Sequence, residues 1–483
     1  MLAGCAVGPD FERPTAPAAA GYTPQPLPET TAAAVGVPGG VAQRFRVGEN
    51  IAAQWWTLFQ SPMLDTLIEQ ALKNNPSLQT AEAALREAQE NQYAQRGILF
   101  PAIAGSLSPM RQKSYGAFGS GGAVSVPAYT ITTASVEVSY ALDIFGAARR
   151  SYESTTALTE QARYQMEAAY LALTSNVVVA AVQFASLRAQ IEATQAILNA
   201  QEQQLGVLVR QLELGGVAEA DVLTQRTAAA QTRAQLPMLE KQLSQSRSQL
   251  LALAGRFPDE ALGAEFDFFA MRLPEDLPVS LPSQLVQQRP DIRASEASLH
   301  AASARIGVAT AFMLPQIPLN ARFGSSASNF GDLFVAGSGI WSLSASLTQP
   351  LFRGGELLHR KRAAVAAYDG AAAQYRGTVL TAFQNVSDVL NALQVDADAL
   401  KASLDAERAG AENLEIAQSR YQGGATNFLT LLDAQRTYQQ TRIALIQAQA
   451  SRYADTAVLF VALGGGWWNR SEDWAGNTAK IDD

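Results

Sequence analysis

The sequence predicts an α+β membrane protein built as a two-fold internal repeat, with four strands per chain that must join strands of other copies to close a barrel. Three observations predict it: a repeated spacing, short segments of period-two alternation, and two very long helical stretches. Asn75-Pro76 opens an Ala-rich segment that ends at Ile98 to Ile103, and Arg289-Pro290 opens a similar one that ends at Phe312 to Ile317. Pro76 lies as far before Pro101 as Pro290 lies before Pro315. Gln225-Arg226-Thr227 precedes Ala252-Leu253 by the distance at which Gln435-Arg436-Thr437 precedes Ala462-Leu463. The chain therefore divides into an N-terminus and linker (1–42), a first repeat (43–255), a second repeat (256–466) and a polar tail (467–483).

Taken in order, the N-terminus comes first. Leu2-Ala3-Gly4-Cys5 has the form of a bacterial lipoprotein cleavage site, and Cys5 is the only cysteine. Covalent lipid on Cys5 is expected, and each buried methylene of an acyl chain adds roughly 0.8 kcal/mol of anchoring. No intrachain disulfide is possible. The Pro/Ala/Gly-rich run from Pro14 to Gly40 reads as extended linker.

Strands follow. Val136, Val138, Tyr140 and Leu142 alternate with Ser135, Glu137, Ser139 and Asp143, and Ile103 and Leu107 begin a weaker version. Ile317, Leu319, Ala321 and Phe323 alternate with Gln316, Asn320 and Arg322. Trp341, Leu343, Ala345 and Leu347 alternate with Ser342, Ser344, Ser346 and Thr348. The two hairpins occupy about 102–142 and 316–350. One apolar and one polar face suit a wall with lipid outside and water inside. A half-buried sheet of a soluble domain shows the same alternation. Four strands are too few for a barrel, since small barrels start at about 8 strands. An open sheet in lipid would leave unsatisfied edges, so several chains must contribute strands to one barrel, and three would give twelve.

Helices supply the rest. No proline occurs from Ala147 to Leu214 or from Glu356 to Tyr421. Each stretch is a rod on the order of 100 Å. Leu187, Ile191, Leu198, Leu205, Leu208 and Leu212 fall on three- and four-residue steps, with Thr194 and Gln201 filling the gaps. Val386, Leu390, Leu393, Ala397, Leu400 and Leu404 do likewise. That spacing is a coiled-coil seam. The rods end at Leu214-Gly215-Gly216-Val217 and at Gly423-Gly424-Ala425, where glycine allows the chain to reverse. Tips are expected near 215 and 423, at equivalent places in the two halves, forming a docking ring for another coiled coil.

Composition excludes several classes. The formal net charge is −8, and no Lys/Arg cluster is dense enough to track phosphates, so nucleic acid is not expected as a partner. His300 and His359 are the only histidines and read as helix-surface residues, so no metal site is expected. Asp396 and Asp398 read as a solvated helix face, and no nucleophile–base constellation points to an enzyme. The most apolar helical stretch, Tyr170 to Leu187, carries Thr174, Ser175, Asn176 and Gln183 and reads as buried against other helices rather than membrane-spanning.

Five segments stand out together: Cys5 to Pro14, Trp55-Trp56-Thr57-Leu58-Phe59, Leu67 to Pro76, Phe428 to Arg436 and Ala462-Leu463-Gly464-Gly465-Gly466-Trp467. In these the chain resembles the TolC family of outer-membrane factors, in the lipoprotein branch that serves tripartite drug efflux. The resemblance implies a homotrimer with a twelve-stranded barrel in the outer membrane of a Gram-negative bacterium, continued by a helical tunnel through the periplasm. It also implies a mixed equatorial girdle, placed around Gln43 to Leu72, Phe257 to Gln287 and beyond Gly464. The partners it implies are a periplasmic adaptor and an inner-membrane RND-type pump, with outer-membrane lipid around the barrel. It carries a periplasmic gate onto Leu429 and Asp433, which share a helical face, with Tyr421 beside them. A ring of Asp433 carboxylates around an axis would repel itself and bind or select cations. Relatives' second acid falls on Thr430, and the arginine that ties to their gate tyrosine falls on Thr426. The expected function is passive conduction of drugs or other small molecules. The alternatives are a duct for type I protein secretion and a non-channel, lipid-anchored coiled-coil scaffold.

Overall fold

The computed structural model describes residues 6–19, 21–113, 115–117, 123–125, 127–262, 266 and 268–470. Cys5, expected to carry lipid, lies outside them, as does the polar tail beyond Arg470. The chain forms two compact units.

The first unit comprises 1–14, 84–163 and 294–376. It holds strands β2 (Ala102–Gln112), β5 (Tyr129–Leu142), β7 (Ile317–Ala327) and β8 (Gly339–Ala345), hydrogen-bonded antiparallel in the order β2-β5-β7-β8. A separate pair, β3 (Tyr115–Ala117) and β4 (Ala123–Ser125), forms within the Gly/Ser-rich loop. Register places residues of one kind in rows across the four-stranded sheet. Gly105, Val136, Phe323 and Trp341 form one row, and Ile103, Val138, Ala321 and Leu343 form another. Between them runs Ala104, Glu137, Arg322 and Ser342 on the opposite face, where Arg322 and Glu137 pair at 3.3 Å. Period two thus sorts apolar from polar side chains across all four strands. The alternation predicted β8 through Thr348, but the ladder stops at Ala345. Ser346 lies against Pro318, whose carbonyl accepts from the Ser346 N–H and which has no N–H to return. Only the isolated Gln316–Thr348 bridge follows.

The N-terminal strap belongs to this unit, beside parts of α2 (Pro76–Gly97), α3 (Ala147–Glu213), α6 (Pro290–Ala311) and α7 (Glu356–Gln422). Val7 N–H donates to the Phe145 carbonyl at 3.0 Å, and Arg150 reaches the Val7 carbonyl and, at 2.6 Å, the Asp10 carboxylate. Arg13 pairs with the buried Glu296 at 2.6 Å. The Phe11 ring stacks on His300 at 4.4 Å, and His300 Nε2 lies 3.0 Å from Glu153. His300 is therefore not a plain surface residue. Its ring covers an aromatic from a segment far away in sequence, which no local spacing reveals. His359 is exposed, as expected.

The second unit comprises 15–83, 164–293 and 377–483. It includes β1 (Arg44–Val47), α1 (Pro62–Asn74), α4 (Glu219–Leu253), β6 (Asp276–Val279), α5 (Pro282–Gln288) and α8 (Phe428–Ala462). β1 and β6 pair in parallel. Ser61 caps α1, accepting from the Leu64 N–H, with Pro62 at the first helical position. The second predicted seam is inside, and the first is buried except at Ile191, Leu205 and Leu212, which are half-buried. Val386, Leu390, Leu393, Ala397 and Leu400 have no exposed surface, and Leu208 and the polar Thr194 on α3 have none either.

An 18-residue window of α3 is apolar enough, by length and composition, to cross a membrane. Of that window 61% is buried within the protein, in keeping with a core helix.

The run from Pro14 to Gly40 is not a free linker. Tyr22 Oη donates to the Ser280 carbonyl at 2.9 Å, and Arg408 and Gln449 donate to the carbonyls of Val35 and Pro38. Arg452, with no exposed surface, donates to Ala32 and Val41 carbonyls and to Thr31 Oγ1, the Val41 bond being 2.6 Å long. Gly40 closes a tight turn in which a Cβ would lie 1.8 Å from the Ala34 carbonyl oxygen, so no other residue fits.

Asp396 on α7 is not part of a solvated face. It sits beside Asp455 of α8, and its Oδ2 is buried without a hydrogen-bond partner. Burial pushes its carboxyl up from the ordinary 3.8 to about 7, the hydrogen bond and charge of Asp455 add to this, and Arg452 opposes it. The folded chain therefore holds a proton there that the unfolded chain releases at lower pH, and stability falls as pH rises through this window. The melting temperature is expected to drop between about pH 4 and about pH 7, and Asp396→Asn is expected to flatten that slope. An equal slope in the variant would remove Asp396 as its source.

Candidate functional site

The hairpin tips are built by two helix stops. In the first, the N–H of Gly216 donates to the Gln211 carbonyl at 2.7 Å, and Gly215 takes a left-handed φ of 74°. In the second, the N–H of Ala425 donates to the Arg420 carbonyl at 2.8 Å, and Gly424 has φ 70°. Both are the same motif, a glycine in the left-handed region just past the helix end. The two glycine pairs are nevertheless out of step, because the left-handed residue is the first glycine of one pair and the second of the other. The stops themselves lie at equivalent places, each after a 67-residue helix; only the glycine pairs shift, by one residue. Helix geometry, not the Gly-Gly dipeptide, sets the register.

Leu214, Gly215, Gly216, Gly423, Gly424 and Ala425 are all exposed, so a broad stretch of backbone and small side chains faces outward. Val217 is different. It packs on a core of Leu208, Val222, Ala228, Phe428 and Leu432 that holds the tips together. Tyr421 packs on the same core, its ring meeting Phe428 edge-on at 6.1 Å. Its hydroxyl is pushed above its ordinary pKa by burial, with the Asp221 charge adding, and lies 3.5 Å from Gln211 Oε1. Gln211 was not singled out from the sequence. It lies in the other repeat, so no spacing connects it to Tyr421.

Asn427 caps α8, accepting from the Thr430 N–H at 3.0 Å and from the Thr430 hydroxyl at 2.9 Å. Thr430, which stands where relatives carry a second acid, is thus engaged in starting the helix. Phe428, Leu431 and Leu432 turn inward, while Leu429 and Asp433 are exposed on one face. An apolar and an acidic side chain one turn apart thus face away from the protomer's core near its tip. Thr426, at the place of the relatives' arginine, is half-buried. Among the described residues no group of His, Cys, Asp and Glu is arranged to hold a metal ion.

Residues 67–256 and 281–465 match the family described as outer membrane efflux protein. The chain belongs to this family. The toluene efflux pump outer membrane protein TtgC of Pseudomonas putida is similar, at 31% identity over 98% of this chain and 94% of that protein. The pyoverdine export outer membrane protein OpmQ of Pseudomonas aeruginosa is similar at 32% identity over 86% of this chain and 87% of that protein. The outer membrane protein VceC of Vibrio cholerae matches in structure with a TM-score of 0.80, at 27% identity, over 86% of this chain and all of that one. This outer-membrane efflux protein is a transport channel component, not an enzyme. It resides in the outer membrane of a Gram-negative bacterium.

Proposed function

We propose that three copies of this efflux protein close a twelve-stranded barrel and conduct small molecules passively from a periplasmic adaptor and an inner-membrane pump to the exterior. One observation supports this most. Edge strands β2 and β8 pair on one side only, and nearly every residue of both is exposed, on the polar face as well as the apolar one. Lipid covers one face of a wall, so the missing neighbour lies in the plane of the sheet. Three sheets joined edge to edge leave no free edge. The paired helix lengths, 67 and 67, 35 and 35, 22 and 22, support a two-fold repeat spanning 43–255 and 256–466. The β1–β6 pair and its helices supply the equatorial girdle. Lipid on Cys5 anchors each copy. The cargo is a drug-like or other small molecule, in keeping with relatives named for toluene and pyoverdine.

The tips at Leu214 to Val217 and at Gly423 to Ala425 dock the adaptor. Leu429 and Asp433 form an apolar and an acidic ring in series, and Tyr421 braces the tip behind them. Spreading of the helices by the adaptor opens the rings. Planar-bilayer recordings of the double variant Leu429→Ala with Asp433→Ala are expected to show a conductance at least several-fold above the parent. A double variant that conducts as the parent does would remove the gate from these residues.

A further inference from the structure

We infer that the joint between barrel and helices is locked between copies by an apolar contact, Leu351 and Phe352 of one protomer seating against Ile98 and Phe100 of the next. The inference rests on the trimer proposed above and names a contact that barrel closure alone does not require.

Ile98 and Phe100 lie between the end of α2 and the start of β2, and Leu351 and Phe352 lie between the end of β8 and the start of α7. These two joints flank opposite edges of the sheet, and closure brings β8 of one copy to β2 of its neighbour. Leu351 and Phe352 are 92% and 89% exposed, and Ile98 and Phe100 are 58% and 61% exposed. Four large apolar side chains left bare at two opposite edges of an open sheet are two different surfaces that can meet head to tail, the kind of contact that closes a ring. At the two joints inside the sheet Phe145 and Leu314 are half-buried, and Ile144 and Phe312 are 40% and 50% exposed, each less than its counterpart at an edge joint. Lipid does not account for the edge joints as well as a second copy does. Hydrocarbon reaches only the outer face of a wall, whereas Leu351 and Phe352 are consecutive and both almost fully bare. A second copy arriving in the plane of the sheet covers both.

The test is cross-linking in outer-membrane preparations. Single variants Phe100→Cys and Leu351→Cys are co-expressed, each carrying a different tag, and treated with a short bismaleimide. The pairs Ile98→Cys with Leu351→Cys and Phe100→Cys with Phe352→Cys are treated alike. The parent chain, whose one cysteine is Cys5, is the control. A cross-linked dimer bearing both tags is expected on denaturing gels for at least one pair, and none for either variant alone or for the parent. Light scattering in mild detergent is read on the same samples. A trimer by light scattering with no mixed-tag dimer in any pair would overturn the lock and leave the trimer standing. A monomer by light scattering would overturn the trimer and the lock with it.

Discussion

Arg452→Ala is expected to destabilise the fold by about 2–4 kcal/mol, since an unmet buried polar group costs about 1–3 kcal/mol and the void left by the side chain adds to it. Arg452 has no exposed surface and is the tie between α8 and the segment from Thr31 to Val41. Its loss leaves the buried Thr31 hydroxyl and the Ala32 and Val41 carbonyls without their donor and opens a void the size of a guanidinium stem. It also removes the cation that opposes the rise in the Asp396 carboxyl, so Asp396 holds its proton more tightly. Arg452→Lys is expected to recover less than half of the loss, because one ammonium cannot serve acceptors arranged around a planar fork. Chemical denaturation followed by circular dichroism measures both variants. An Arg452→Ala midpoint within about 1 kcal/mol of the parent would contradict the assignment of Arg452 as the tie.

Phe323→Arg is expected to cost about 2–4 kcal/mol in each copy, as a cation does on the lipid side of a barrel, and therefore to abolish heat-resistant assembly when three copies share one wall. Phe323 lies in the row with Gly105, Val136 and Trp341 and is exposed. Ser342→Arg is the matched control, one row away on the opposite face beside Arg322 and Glu137. It is expected to assemble normally. Heat-modifiable migration in gels and yield in the outer membrane read both. Equal behaviour of the two variants would mean that the sheet does not separate lipid from water.

Much of the fold is legible in the sequence because it is written in short periods. Alternation at period two placed Val136, Val138, Phe323 and Leu343 on one face, and the register of the sheet agrees. The seam through Val386, Leu390, Leu393 and Ala397 predicted a buried stripe, and those residues are buried. Absence of proline and the glycine stops bounded the long helices to within a residue or so, with α3 ending at Glu213 and α7 at Gln422. The tips were legible for the same reason, as was the shared face of Leu429 and Asp433. What failed did so where partners are remote. Val217 reads as an exposed tip residue until Phe428 and Leu432 are folded against it. His300 reads as surface until Phe11 stacks on it, and Pro14 to Gly40 reads as linker until Arg452, Arg408 and Gln449 donate to its carbonyls.

By itself the sequence determined the helix and strand periods, the apolar stripes and the places where the chain reverses, because each depends on residues within one or two turns of one another. Only the tertiary structure decided which polar groups are buried and what they meet: Arg452 against Thr31, Asp396 against Asp455, Tyr421 beside Gln211. Those pairings join segments tens to hundreds of residues apart, and desolvation, which sets their energies, exists only once the segments have packed.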